Sequence, residues 1–387
     1  MKISLSKRLE LLPPYLFVEI DKAKRKARAE GRDIIDLGIG DPDSPTPKYI
    51  IDALYQAAQE PANHRYALDQ GMPALRRAIE GWYKRRFNVN LDPDKEILPL
   101  IGSKEGIAHF SLAFLNPGDY ALIPDPCYPP YKGGTIFAGG RPYLMPLLES
   151  NAFLPDLKKI PLSILKKSKI IYINYPNNPT GATAEKDFYR KVVEFAQKHK
   201  LIVISDLAYS EMSYDGYRPS SLLEIEGASE VVIEFHSLSK TYNMTGWRVG
   251  WACGNAQLVS ALAKVKSNID SGIFSAVQVA GVAALEGPQD HIRNMCAVYQ
   301  QRRDLLIKGL DSLGWKANNP KATFYVWIRV PNRMDSIKFS SLLLEKANIV
   351  ATPGVGFGKY GEGYIRMALT VSGERIKEAI ERLRKIA

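Results

Sequence analysis

From about residue 46 to residue 287, short apolar runs alternate with helical stretches, and this alternation limits the fold more than any other feature of the chain. The runs at 120–123, 169–174, 201–206 and 231–235 have strand length, and a helical stretch such as 185–200 stands between two of them. Strands separated by helices predict an α/β fold with a mostly parallel central sheet covered by helices on both faces. The pattern then changes. Residues 324–330 and 364–369 read as strands, and 336–347 and 372–386 as helices. In the last of these, Ile376, Ala379, Ile380, Leu383 and Ile386 share one face, with Ser372 positioned to cap the start. A smaller α+β domain is therefore expected at 288–387. A helix at 15–30 should pack on it, so that residues 1–45 form an N-terminal arm and the first part of the small domain, with the large domain at 46–287.

A chain of 387 residues exceeds what one ordinary core accommodates, and 45% hydrophobic with 24% charged residues is a globular balance. The three cysteines, Cys127, Cys253 and Cys296, share no pairing or metal-ligand spacing. Reduced thiols are expected, and the scattered histidines give no reason to expect a metal. The net charge of +11 raises nucleic acid as a partner. Yet the dense basic run from Lys22 to Arg28 ends at the helix-stopping Gly31 and reads as a solvated helix face, so no nucleic acid is expected. A basic surface also concentrates anionic ligands. No apolar stretch reaches the length of a membrane span or a signal peptide, which leads to an expected cytoplasmic location without membrane contact.

Chemistry-bearing residues follow the strands. After 231–235 comes Ser237-Leu-Ser239-Lys240, with Arg248 eight residues beyond the lysine in Gly246-Trp-Arg248-Val-Gly250. This supplies an amine for an imine and cationic donors for a phosphate, although an ordinary surface Lys and Arg account for the segment equally well when it is taken alone. Gly102-Ser103-Lys104 follows the apolar stretch 97–101 and opens an apolar helix, where free NH groups and the helix dipole make a phosphate seat. The strand 201–206 ends in Asp206, at the edge where open α/β sheets bind ligands. An ionised Asp there either caps a helix or holds a pyridine nitrogen protonated. Strand 169–174 runs into Asn177-Asn178-Pro179-Thr180-Gly181, a turn that brings a side-chain amide to the same edge. In Asp125-Pro-Cys-Tyr128-Pro-Pro, prolines flank an aromatic ring suited to stacking on a flat cofactor. Several such segments in strand order are far less expected by chance than any one of them.

With these motifs the chain resembles the class I/II aminotransferases of the fold type I pyridoxal-phosphate superfamily, over nearly its whole length. The resemblance implies that Lys240 forms the imine with pyridoxal 5'-phosphate and then serves as base and acid of a 1,3-proton shift. It implies that Asp206 pairs with the pyridinium nitrogen, that Asn178 and Tyr209 bond the ring's 3-oxygen, and that Tyr128 stacks on the ring. Phosphate contacts are implied for Ser103, Lys104, Ser237, Ser239 and Arg248, with Tyr66 reaching over from a second subunit of a homodimer with shared sites. For the substrate, the resemblance implies Arg366 and Asn178 on the α-carboxylate and a backbone contact from Gly40.

Within the family, the stretches Tyr15-Leu-Phe17, Gly102 to His109, Asn268 to Phe274 and Thr352 to Gly358 are similar to the diaminopimelate aminotransferases. This implies LL-diaminopimelate as donor, 2-oxoglutarate as acceptor and a place in lysine biosynthesis, with Tyr15 near the substrate. Asp69, three residues beyond Tyr66, is positioned to meet the distal ammonium. Asp69 and Ser271 stand where some members of that subgroup carry Glu and Asn. The alternatives are an aspartate/alanine-type or broad-specificity aminotransferase, a pyridoxal-phosphate C–S lyase, or a non-catalytic cofactor sensor. The run Gly354-Val-Gly356-Phe-Gly358 is not expected to be a dinucleotide loop, since it leads into a strand rather than a helix.

Overall fold

The computed structural model describes residues 3–12 and 16–386. Its strands in chain order are β1 (Ile35–Asp36), β2 (Ile97–Leu100), β3 (Tyr120–Asp125), β4 (Arg141–Pro146), β5 (Ser168–Ile173) and β6 (Ile202–Asp206). They continue as β7 (Val232–Ser237), β8 (Gly250–Gly254), β9 (Tyr325–Arg329), β10 (Ile349–Val350), β11 (Thr352–Pro353) and β12 (Tyr364–Ala368). Seven of them form one sheet in the order β2-β8-β7-β6-β5-β3-β4. The pairs from β4 through β7 are parallel, whereas β8 runs antiparallel to both neighbours. The expected α/β fold with a mostly parallel sheet is therefore what forms.

Local sequence accounts for the helices that cover it. In Lys186–His199 the buried residues Tyr189, Val192, Val193 and Ala196 recur at helical spacing, and Lys200 ends the helix in the left-handed region at φ 55°. The sheet strands are buried on both faces, as in Ile170 to Ile173 of β5 and all of β7. Apolar clusters fill the space between sheet and helices, around Trp251 and around Ile171 and Val192 on one face and around Ile204, Phe235 and Phe110 on the other.

A second, smaller sheet holds β11-β12-β9, all antiparallel, and β1 pairs in parallel with β10. Its core joins Val326, Ile328, Ile365 and Met367 to Leu306 and Leu310 of the helix Asp290–Ser312 and to the final helix Gly373–Leu383. In that final helix Ile376, Ala379, Ile380 and Leu383 are buried, and the Ser372 side chain accepts from the Arg375 N–H. Each of the three larger side chains, Ile376, Ile380 and Leu383, contributes about 1.5 to 3 kcal/mol on burial. The helix Leu16–Ala29 packs on this smaller domain through Ala27, which clusters with Ile34 and Val350.

The basic run in that helix is not wholly a solvated face. Lys24 is buried, and its ammonium lies 3.0 Å from Asp36 and 3.2 Å from Asp21, because residues 24 and 27 share the stripe that faces the core. Among the described residues no helix is long and apolar enough to cross a membrane.

Candidate active site

Strand direction decides which residues meet. β3, β5, β6 and β7 all run the same way, so the residues that follow them emerge at one edge of the sheet. β8 runs the opposite way, so its beginning, just after Arg248, lies at that same edge. The result is a cavity of about 520 Å³ lined by Gly40, Ser103, Lys104, Tyr128, Asn178, Asp206, Tyr209, Ser237, Ser239, Lys240, Arg248 and Arg366. Gly40 and Arg366, 326 positions apart in the sequence, thus line one cleft.

One end of the cavity is built for an anion. Gly102, at φ 74°, turns the chain out of β2 into the helix Ser103–Phe114, whose first NH groups face outward. A Cβ at Gly102 would come within 2.2 Å of the Arg248 guanidinium, so glycine is what lets the cation lie against this helix start. Arg248 itself sits in the left-handed region at φ 59° and donates to the Thr245 carbonyl at 2.8 Å. Ser237 Oγ accepts from the Ser239 N–H at 3.1 Å. The Ser237 N–H donates to His236 Nδ1 at 2.9 Å, while His236 Nε2 meets Ser210 Oγ at 2.8 Å. Burial holds His236 neutral, at about 3, which keeps Nδ1 free to accept.

The middle of the cavity pairs an amine with a buried acid. Lys240 Nζ donates to the Gly40 carbonyl at 2.8 Å. Burial lowers its pKa to about 8; Arg366 and Arg248 add to the effect, and Asp41 opposes it. Asp206 Oδ2 accepts from the Tyr131 hydroxyl at 2.6 Å. Its other oxygen is buried with no hydrogen-bond partner among the described residues. Burial raises Asp206 to about 6, against the Tyr131 hydroxyl and the Ala208 N–H. An unpaired carboxylate oxygen of this kind calls for a cationic donor, and a protonated ring nitrogen is one.

At the far end, Arg366 projects from the middle strand of the small sheet. Its Nη1 donates to Asn178 Oδ1 and its Nη2 to the Gly38 carbonyl, both at 2.8 Å. The guanidinium lies over the rings of Tyr325 at 4.1 Å and Phe357 at 4.7 Å. Tyr209 and Tyr325 share a hydroxyl contact of 3.2 Å. A Cβ at Gly40 would fall 2.0 Å from the Tyr325 hydroxyl, which explains glycine there.

Two expected site residues are not brought to this cavity within the chain. Tyr66 is 94% exposed and Asp69 is also exposed, both in the loop after the short turn Pro61–His64. Ser271 is exposed as well, and Tyr15 lies outside the described residues. Conversely, Tyr131, Asn174, Tyr325 and Phe357 line or support the cavity without having been singled out. Asn174 donates to the Asp206 carbonyl at 2.7 Å and accepts from the Asn178 N–H at 3.0 Å. It closes an apolar strand with a polar residue, the same signal that marks Asp206. Tyr131 and Tyr325 carry no such local mark.

Away from the cavity, Glu105, His109 and Asp270 bring ligand-type atoms within 4.8 Å of one another, the one such group among the described residues. The buried Lys266 ammonium bonds to Glu105 and Asp270 and supplies the positive charge there. Gly354–Phe357 forms a 3-10 turn that ends at Gly358 and opens no α-helix, in keeping with the reading against a dinucleotide loop.

A sheet covered on both faces, with an amine, a buried acid and two guanidinium groups gathered at its carboxyl edge, defines an enzyme cleft of the open α/β class. Residues 32–383 match the family described as aminotransferase class I and II, and the chain belongs to that family. The LL-diaminopimelate aminotransferase of Syntrophobacter fumaroxidans is 58% identical over 382 residues, covering 99% of this chain and 98% of that one. The enzyme of the same name from Moorella thermoacetica is 56% identical over 381 residues, 98% of each chain. The substrate-bound structure of BacF from Bacillus subtilis superposes with a TM-score of 0.95 at 39% identity, covering 100% of this chain and 98% of that one.

Proposed function

We propose that this chain uses pyridoxal 5'-phosphate to transfer the amino group of LL-diaminopimelate to 2-oxoglutarate. The observation that carries the reading is the buried Asp206, whose unpaired oxygen shares a cavity with Lys240 and with the anion seat at Ser103 and Arg248. These groups fit a phosphate-bearing pyridine. Ser103, Lys104, Ser237, Ser239 and Arg248 would hold the phosphate, Tyr128 would cover the ring face, and Asn178 and Tyr209 would meet the ring oxygen. When bound, the cofactor supplies an electron-withdrawing ring that stabilises charge at the substrate's α-carbon.

The protein's own residues do the rest. Asp206 would keep the ring nitrogen protonated; burial raises its own pKa to about 6, and a cationic partner would favour its ionised form. Lys240, lowered to about 8 by burial, would hold the cofactor through its amine and would take up and return the proton at the substrate's α-carbon. Arg366 binds the substrate α-carboxylate, for which its planar fork is suited, with Asn178 beside it. Gly40 offers its backbone to the same end.

Two further elements of the reading concern the assembly and the substrate. Tyr66 completes the phosphate site of a second subunit in a homodimer, and Asp69 arrives with it to face the distal ammonium of diaminopimelate. The similarity to enzymes named for LL-diaminopimelate supports that donor. We likewise divide the chain into an arm and first small-domain part at 1–45, a large domain at 46–287 and a small domain at 288–387, and assign the protein to the cytoplasm. A panel of amino donors with 2-oxoglutarate tests the substrate. LL-Diaminopimelate should give the highest kcat/KM, well above aspartate, alanine and aromatic amino acids. No turnover with it would leave only the aminotransferase class standing.

A further inference from the structure

The glycine-rich turn at residues 354–361 belongs to the small domain, yet it is docked on the end of β3 in the large sheet. Asp125, the last residue of β3, is fully buried. Its Oδ1 accepts from the Tyr360 N–H at 3.0 Å, and its Oδ2 pairs with Lys132 Nζ at 2.9 Å. Gly358, at φ 147°, is pressed so close that a Cβ there would lie 2.1 Å from Asp125 Oδ1. Two residues further along the large domain, the Cys127 N–H donates to the Phe357 carbonyl at 2.9 Å. Asp125 does not line the cavity, whereas Phe357 does, with its ring against the Arg366 guanidinium.

We propose that Asp125 is a positioning residue for substrate binding: its carboxylate anchors the 354–361 turn and so holds Phe357 against Arg366, fixing the direction in which the guanidinium meets a carboxylate. The inference rests on the reading that Arg366 receives the substrate carboxylate. A long cation such as Arg keeps its bidentate geometry only if both flanks of the fork are held. Tyr325 is fixed within β9 of the small sheet itself, whereas Phe357 lies on a 3-10 turn that packs on Trp327 and is tied to the large domain by the Asp125 and Cys127 contacts. A buried carboxylate with two donors, in contact with a glycine, is a strong and directional dock. Lys132 is partly exposed, so its ammonium returns to solvent when Asp125 is removed and does not distort the turn.

The test uses the cofactor-loaded enzyme and compares Asp125→Ala, Phe357→Ala, the double variant, Asp125→Asn and Arg366→Lys. Readouts are the affinity for 2-oxoglutarate by calorimetry, the KM and kcat for the amino donor, the visible spectrum of the cofactor, and amide exchange of the 354–361 peptide. Asp125→Ala should weaken 2-oxoglutarate binding and raise KM by about tenfold, with kcat and the cofactor spectrum little changed and exchange of the turn accelerated. The double variant should be no worse than the worse single variant, because both remove one device. Asp125→Asn keeps an acceptor for the Tyr360 N–H and should restore most of the affinity. If the alanine variant does not fold, Asp125→Ser, which removes the carboxylate but keeps a polar side chain, takes its place. Wild-type affinity in Asp125→Ala, or in Asp125→Ser where that replaces it, or additive losses in the double variant, overturns the inference while leaving the role of Arg366 intact. Unchanged affinity in Arg366→Lys overturns that role and the inference with it.

Discussion

The cavity at the sheet edge and the loop that carries Tyr66 and Asp69 are opposites in how their side chains are held. Asp206 is 6% exposed and Tyr209 likewise 6%, each tied by hydrogen bonds to partners in the same chain. Tyr66 is 94% exposed and Leu68 67%. The loop's backbone is nevertheless fixed: Arg76 Nη1 donates to the Gly71 carbonyl at 2.9 Å, and a Cβ on Gly272 would lie 2.3 Å from the Leu68 carbonyl. A rigid backbone that points large side chains outward is organised for another surface, whereas the cavity is organised for a ligand. The chain alone therefore prearranges the cavity, and in the proposed reading the loop is where a second subunit and the choice of substrate enter.

The largest effect should come from the cavity. Lys240→Ala removes the proton carrier, and turnover should fall on the order of 10⁴-fold, while the phosphate and ring contacts still retain cofactor in a dialysis assay. A loss of cofactor together with activity would instead make Lys240 mainly a binding residue.

Asp206→Asn should lower kcat by about 10² to 10³, since a neutral partner stabilises a protonated ring nitrogen less well. The same substitution should act in the reverse sense on the cofactor-free fold. The Asp206 pKa rises from 3.8 to about 6 on folding, so folding favours the protonated acid. Stability from this group is complete at acid pH, declines as pH rises from the ordinary carboxylate range to about 6, and stays low above that. At pH 7.5 the cofactor-free Asp206→Asn protein should therefore be more stable than the wild type, by up to about 3 kcal/mol. Denaturant titration of both proteins at pH 4 and pH 7.5 reads this, and the gain should vanish at the lower pH.

In the loop the effect should be smaller and selective. Asp69→Asn should raise KM for diaminopimelate by about tenfold, through loss of a charge-assisted hydrogen bond, and leave alanine nearly unaffected. Equal losses for both donors would make Asp69 a structural loop residue and blur the contrast between the two regions.

The same contrast governs how much was legible in the sequence. Lys240, Asp206, Asn178 and Arg248 could be found because each lies beside an apolar strand, and strand ends in an open α/β sheet converge on one edge. Helix limits came within a few residues, as in Lys186–His199 and Ser336–Ala347, because their apolar stripes and caps are local. What stayed hidden depends on pairing between distant segments. Nothing near Tyr131 signals that its hydroxyl meets Asp206, 75 residues away, and nothing near Tyr325 signals that it crowds Gly40. The reversed direction of β8, which brings Arg248 to the cavity, is a property of the whole sheet. Lys24 turned inward because Asp36 lies across from it, a partner that helical spacing alone does not identify.

The central claim is that Lys240 holds the cofactor covalently, and it is tested most directly by borohydride reduction of the purified yellow protein followed by peptide mapping. The account predicts a single pyridoxyl-bearing peptide, labelled on Lys240 and absent from the Lys240→Ala variant. A label on any other lysine, or a protein that takes up no label when supplied with pyridoxal phosphate, would contradict it.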